Sequence, residues 1–150
     1  CTLIPDAKTS EKDSELDERL LTSPALALDQ CRQTNDWLAS WRVCEKKLER
    51  YNWVHAYPNA AIEVIALWFG NGDFVDTLEI CGRCGKDVDC NAAQIMTVLC
   101  TMFGSGVIPA AWAEPFGDRL DTYVRGMERL SIRKLAARTA AVARRLNQAE

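Results

Sequence analysis

The chain has 150 residues, one domain's length, with 48% apolar and 26% charged residues, an ordinary balance for a domain with a packed core. A net charge of −3 argues against a general nucleic-acid or membrane-surface binder. The most apolar stretch, 92–112, is interrupted by Gly104, Gly106 and Pro109, which argues against a transmembrane helix.

The chain opens on Cys1 without the charged-then-apolar pattern of a signal peptide, and truncation of a longer protein is expected ahead of a lipoprotein start. Seven cysteines make an odd set with no framework spacing, so reduced thiols in a soluble, cytoplasmic protein are expected rather than a secreted disulfide scaffold.

In chain order, nearly every segment has a helical period. Residues 6–18 are acid-rich and suggest a solvated loop leading into a short helix from Ser10. Ser23-Pro24 has the form of a second helix start, serine as cap and proline at the first helical position. Asp36 precedes Trp37, Leu38, Trp41, Cys44 and Leu48 on one helical face. Asn59 is read as the cap of a helix over 60–69 that Gly70 stops. Asp73 begins a helix carrying Phe74, Leu78 and Cys81, ended by Gly82 and Gly85. An apolar helix follows over about 91–103, ended by Gly104-Ser105-Gly106. Pro109 opens a short helix through Trp112, and Asp118 is read as the cap of another towards Gly126. Ser131 caps the last helix, whose Ile132, Leu135, Ala136, Thr139, Val142, Ala143 and Leu146 form one apolar stripe. With no alternating strand pattern, the expectation is an all-α, compact multi-helix bundle over residues 1–150, a single domain or a fragment of one.

The basic run from Arg129 to Arg145 is read as a solvated helix face, with its cations towards the C-terminal end of the dipole. Cys81-Gly82-Arg83-Cys84 is a C-x-x-C without a second pair or a nearby histidine to complete a zinc set. Cys81, Cys84 and Cys90 are therefore expected to be free and mostly buried. The five tryptophans, Trp37, Trp41, Trp53, Trp68 and Trp112, are expected mostly in the core.

The chemistry-bearing segment is Gly85-Lys86-Asp87-Val88-Asp89-Cys90-Asn91-Ala92-Ala93. Two carboxylates two residues apart before a packed helix suit a hard cation such as Mg²⁺ or Ca²⁺. On spacing alone the alternative stays open that Asp89 or Asn91 only caps the helix while Asp87 is solvated.

Several separated elements together resemble the ADP-ribosylglycohydrolase family. His55 with Asn59-Ala60-Ala61, then Ala66-Leu67 and Gly70-Asn71-Gly72-Asp73-Phe74, precede the Asp87/Asp89/Asn91 segment. Ile108-Pro109, Trp112, Pro115 and Asp118 follow it in the family's order. The resemblance spans residues 50–140 clearly, and Ile4-Pro5 and Asp36-Trp37 more loosely. It implies an all-α, Mg²⁺-dependent hydrolase, with two ions in the complete enzyme. Such enzymes release ADP-ribose from modified protein side chains or related small ADP-ribosyl compounds.

By motif match, Asp87 and Asp89 would be metal ligands. Cys90 stands where the family often has a threonine hydroxyl, and a thiol is a soft, poor donor for Mg²⁺. His55, Asn59 and Asn91 would line the substrate site; no catalytic residue is assigned. The family's first-half Gly-Asp-x-x-Gly and Asp-Asp segments are missing, so the chain is expected to be the C-terminal part of such an enzyme. Self-association, or a partner chain supplying the missing half, follows from that expectation. A non-catalytic helical relative used for binding or assembly is the alternative.

Overall fold

The computed structural model describes residues 11–148, with side chains from residue 22 onward. Cys1, Asp6 and Ser10 lie outside the described residues, whereas the other five acids of the 6–18 stretch fall within a first helix of 23 residues, Glu11–Gln33, in place of the solvated loop and short helix expected. The described chain is helical apart from one small hairpin, and it divides into two units, 1–107 and 108–150.

In the first unit, five helices run α1 (Glu11–Gln33), α2 (Trp37–Lys47), α3 (Ala56–Gly70), α4 (Phe74–Cys84) and α5 (Val88–Phe103). Helix α3 is central and packs against each of the other four. Its sequence explains this, since Glu63 is its only charged residue and a helix apolar on all sides must be covered on all sides. Ala61, Ile62, Ile65 and Ala66 of α3 meet Ala27 and Cys31 of α1, Trp41 and Cys44 of α2, Ile80, Cys81 and Cys84 of α4, and Ile95 of α5 in one core.

Local chemistry sets most of the boundaries. Asp36 accepts from the Leu38 N–H at 2.9 Å to start α2. Asp73 accepts from the Asp76 N–H at 2.8 Å to start α4. Asn71, at φ 47°, closes α3, and Gly85, at φ 78°, closes α4. Two expected boundaries move. The helix start at Ser23-Pro24 is absorbed into α1, which runs through Pro24. Ser23 does not cap there, because its buried hydroxyl donates to the Tyr57 carbonyl at the start of α3. Likewise α3 begins a turn before Asn59, with His55 Nδ1 accepting from the Tyr57 N–H at 3.3 Å as its cap. Asn59 is inside the helix and buried.

The second unit holds a short helix α6 (Ala110–Ala113), strands β1 (Arg119–Asp121) and β2 (Arg129–Ser131), and helix α7 (Ile132–Asn147). The strands pair antiparallel with Leu120 opposite Leu130. No helix starts at Asp118, contrary to the sequence expectation. Its carboxylate accepts from the Ser131 hydroxyl at 2.6 Å and the Arg133 N–H at 2.8 Å, so it caps α7 across the hairpin. Ser131 accepts from the Lys134 N–H at 3.1 Å, as its sequence position predicts.

The apolar stripe of α7 is formed but not buried, with Ile132, Leu135, Val142 and Leu146 all exposed. Of the five tryptophans only Trp41 is buried; Trp53, Trp68 and Trp112 are exposed and Trp37 is half-buried. Helix α5 buries Asn91, Ile95 and Leu99, one stripe four residues apart, and leaves Val98, Met102 and Phe103 in the open. Among the described residues, no helix is long and apolar enough to cross a membrane.

Candidate metal site

The acidic segment lies where α4 ends and α5 begins, and the backbone there is sharply bent. Gly85 at φ 78° and Lys86 at φ 64° turn the chain back towards α3. Left-handed backbone costs a lysine more than a glycine. Lys86 is held in place by an ion pair with Glu45 at 3.3 Å and by its position over the Trp41 ring.

Asp87 then occupies the cap position of α5, yet its side chain makes no capping hydrogen bond. This differs from Asp36 and Asp73, whose carboxylates are spent on their own helices. Asp87, Asp89 and Cys90 each bring one potential ligand atom to within 4.8 Å of the others. Asp87 is half-buried, while Asp89 and Cys90 are exposed. The helix also presents its unpaired first-turn N–H groups at this end.

Cys90 departs from the expectation of a mostly buried thiol, because it lies off the 91/95/99 stripe that α5 turns to the core. The Asp87 carboxylate, hydrogen-bonded to the Cys90 thiol, pushes that thiol's pKa up from its ordinary value. Cys81 and Cys84 are free and buried as expected, and Cys100 is half-buried. Cys31, Cys44, Cys81 and Cys84 are free and buried in the core. Burial raises Cys44 and Cys81 to about 11 and Cys84 to about 12, with neighbouring thiols and Glu45 adding to the rise at Cys84. Buried in this way, these thiols lack the exposed thiolate that a nucleophile needs.

Behind the acidic turn is a buried network that joins the other candidate residues. Asn59 is 7% exposed and Asn91 only 1%. The Asn59 Oδ1 accepts from the Asp87 N–H at 3.1 Å and from Asn91 Nδ2 at 2.8 Å. Its Nδ2 donates to the carbonyls of Trp53 and His55, both at 2.9 Å. The half-buried imidazole of His55 packs in a triangle with the rings of Tyr51 and Tyr57, at centroid distances of 4.5 and 4.6 Å, the two tyrosines being 4.8 Å apart. His55, Asn59, Asp87 and Asn91 are thus brought together, with Asp89 and Cys90 on the adjacent turn. Asn91 Oδ1 is buried with no hydrogen-bond partner.

The sequence did not point to this amide network. Its only trace is a pair of asparagines, each followed by two alanines, whose small side chains permit close helix approach.

The first unit is thus all-helical, with two carboxylates and a thiol gathered at the start of α5. The model of one family, ADP-ribosylglycohydrolase, matches residues 3–149. The chain belongs to the ADP-ribosylglycohydrolase family, and at that level it is a hydrolase of the ADP-ribosylglycohydrolase type. No curated protein and no solved structure matches it.

Proposed function

We propose that this chain supplies the acidic turn of a Mg²⁺-dependent hydrolase that releases ADP-ribose from modified protein side chains or related ADP-ribosyl compounds. The observation that carries the reading is the Asp87–Asp89–Cys90 cluster at the start of α5, in a chain matched by the family almost throughout. The donor set fits a hard dication in its two carboxylates. Asp87 can serve because it makes no capping bond to the backbone of its helix. Cys90 fits less well, being a soft donor whose pKa the neighbouring carboxylate raises.

Asp87 and Asp89 would hold the ion, which when bound supplies Lewis-acid polarisation and orients ribose hydroxyls and water. His55 offers a ring fixed by Tyr51 and Tyr57. With Nδ1 accepting from the Tyr57 N–H, Nε2 is the donor of the neutral imidazole. His55, Asn59 and Asn91 remain the candidates for the substrate side.

Two carboxylates supply only part of the roughly six oxygens a hard dication takes. The 150 residues are therefore expected to bind Mg²⁺ weakly and to show no turnover alone. The second reading, a non-catalytic relative, is favoured by the thiol at position 90 and by the lack of a second cluster of potential ligands among the described residues.

The test is Mg²⁺ titration calorimetry beside an ADP-ribose release assay. Asp87→Asn and Asp89→Asn should each abolish measurable binding with little change in Tm, since both side chains are at least partly exposed. Cys90→Thr should keep or raise affinity by supplying a hydroxyl oxygen. Equal loss of fold and binding would assign the carboxylates to capping. Robust turnover by a monomer of this chain would overturn the view that it is a partial site.

A further inference from the structure

Asn59 fills all four hydrogen-bonding positions of its amide from within the protein: two carbonyls ahead of α3, the Asp87 N–H and the Asn91 amide. The Asp87 bond is the unusual one. The N–H of a helix cap residue is often taken by an acidic or amide side chain three residues into the same helix. Here the third residue into α5 is Cys90, which has no such acceptor, and Asn59 reaches across from α3, 28 positions earlier, to take that N–H.

The same residue fixes the other wall of the site through the His55 carbonyl. One buried carboxamide therefore sets the backbone of the acidic turn against that of the histidine segment. It does so without drawing on the Asp87 carboxylate, which makes no capping bond to the backbone of α5 and meets only the exposed Cys90 thiol.

We infer that Asn59 is a positioning residue, holding the Asp87 backbone so that the Asp87 and Asp89 carboxylates are presented together to a cation. The inference rests on the metal reading proposed above. Partners that orient ligands from behind are typically worth about 10–100-fold in metal affinity. Loss of the Asn59 amide should therefore weaken cation binding more than its effect on folding would explain.

The test uses isotope-labelled protein, amide hydrogen exchange and line broadening by Mn²⁺ alone. Wild type is compared with Asn59→Ala and with Ile65→Val, a core change in the same helix that leaves the Asn59 amide in place. In wild type, the Asp87 amide should exchange about tenfold or more slowly than the first-turn amides of Val88 and Asp89, which no helix carbonyl can take. Mn²⁺ should broaden residues 87–91 first. Asn59→Ala should remove the protection of Asp87 and raise the Mn²⁺ concentration needed for broadening about tenfold. Ile65→Val should leave both unchanged while lowering Tm.

An Asp87 amide that exchanges as fast as its neighbours in wild type overturns the inference, even if Asn59→Ala fails to fold. An unaltered Mn²⁺ midpoint in folded Asn59→Ala overturns it as well, with the metal reading intact. Wild-type protein in which Mn²⁺ broadens other residues, or none, refutes the metal reading and the positioning role with it.

Discussion

Gly70 is the last residue of α3 and lies against Thr77 of α4, the helix that delivers the chain to the acidic turn. A Cβ at position 70 would stand 2.0 Å from the Thr77 hydroxyl oxygen and 2.7 Å from the Thr77 α-carbon. The hydroxyl has little room to withdraw, because Thr77 is fully buried and donates to the Asp73 carbonyl. The α-carbon belongs to the backbone and cannot rotate away, so relief requires α3 and α4 to move apart.

Overpacking of this kind costs about 1–3 kcal/mol, and a clash with backbone puts Gly70→Ala at the upper end. Replacing a helical glycine by alanine returns up to about 1 kcal/mol of propensity. The net loss is then about 2 kcal/mol, which lowers Tm by about 4–8 °C in a domain of this size. Thermal unfolding followed by circular dichroism reads it directly. Adding Thr77→Ala should recover only part of the loss, since the clash with backbone remains. An unchanged or raised Tm for Gly70→Ala, which helix propensity alone would give, refutes the close approach of α3 and α4.

Three further expectations follow from particular groups. Alkylation of the native protein with peptide mapping should modify Cys90 well before Cys31, Cys44, Cys81 and Cys84, which should react only in denaturant; early labelling of Cys84 would contradict the buried-thiol core. Asp118 is held below its ordinary carboxyl value of 3.8, first by the Ser131 hydroxyl and then by the Arg133 N–H, so its cap on α7 is complete above that value and lost as pH falls below it. The amide shifts of residues 131–134 should therefore stay constant from neutrality to about pH 5 and move below about pH 4, and an Asp118→Asn protein should lose that dependence. Finally, the open apolar faces of α5 and α7 should drive self-association visible by light scattering, reduced by Met102→Lys and Leu146→Lys; a strictly monomeric wild type would show that these faces do not attract one another.

Much of the helical order was legible because it depends on neighbours in sequence. Asp36, Asp73, Ser131, Gly85 and Gly104 act on their own helices, as their spacing to the apolar periods implies. Three capping assignments fail for one shared reason. Ser23, Asn59 and Asp118 have the right chemistry for a local cap, but each gives its polar atoms to partners distant in sequence, 13 to 34 positions away for the bonds that decide their roles. The hairpin from Arg119 to Ser131 was illegible because three-residue strands are too short to show an alternating period. Burial of the tryptophans and of Cys90 likewise depends on which helix side finds a partner, and periodicity does not carry that information. At the candidate site, the two carboxylates were visible as a spacing and Asn59 through the resemblance, whereas the bond from the Asp87 N–H to Asn59 on α3 was not.

The most direct measurement of the central claim is an anomalous difference map from crystals of this chain grown with Mn²⁺. The account predicts a peak within coordination distance of carboxylate oxygens from both Asp87 and Asp89, with Asn59 still bonded to the Asp87 N–H behind it. A map with no peak there, and with Asp87 turned inward to cap α5, would contradict it.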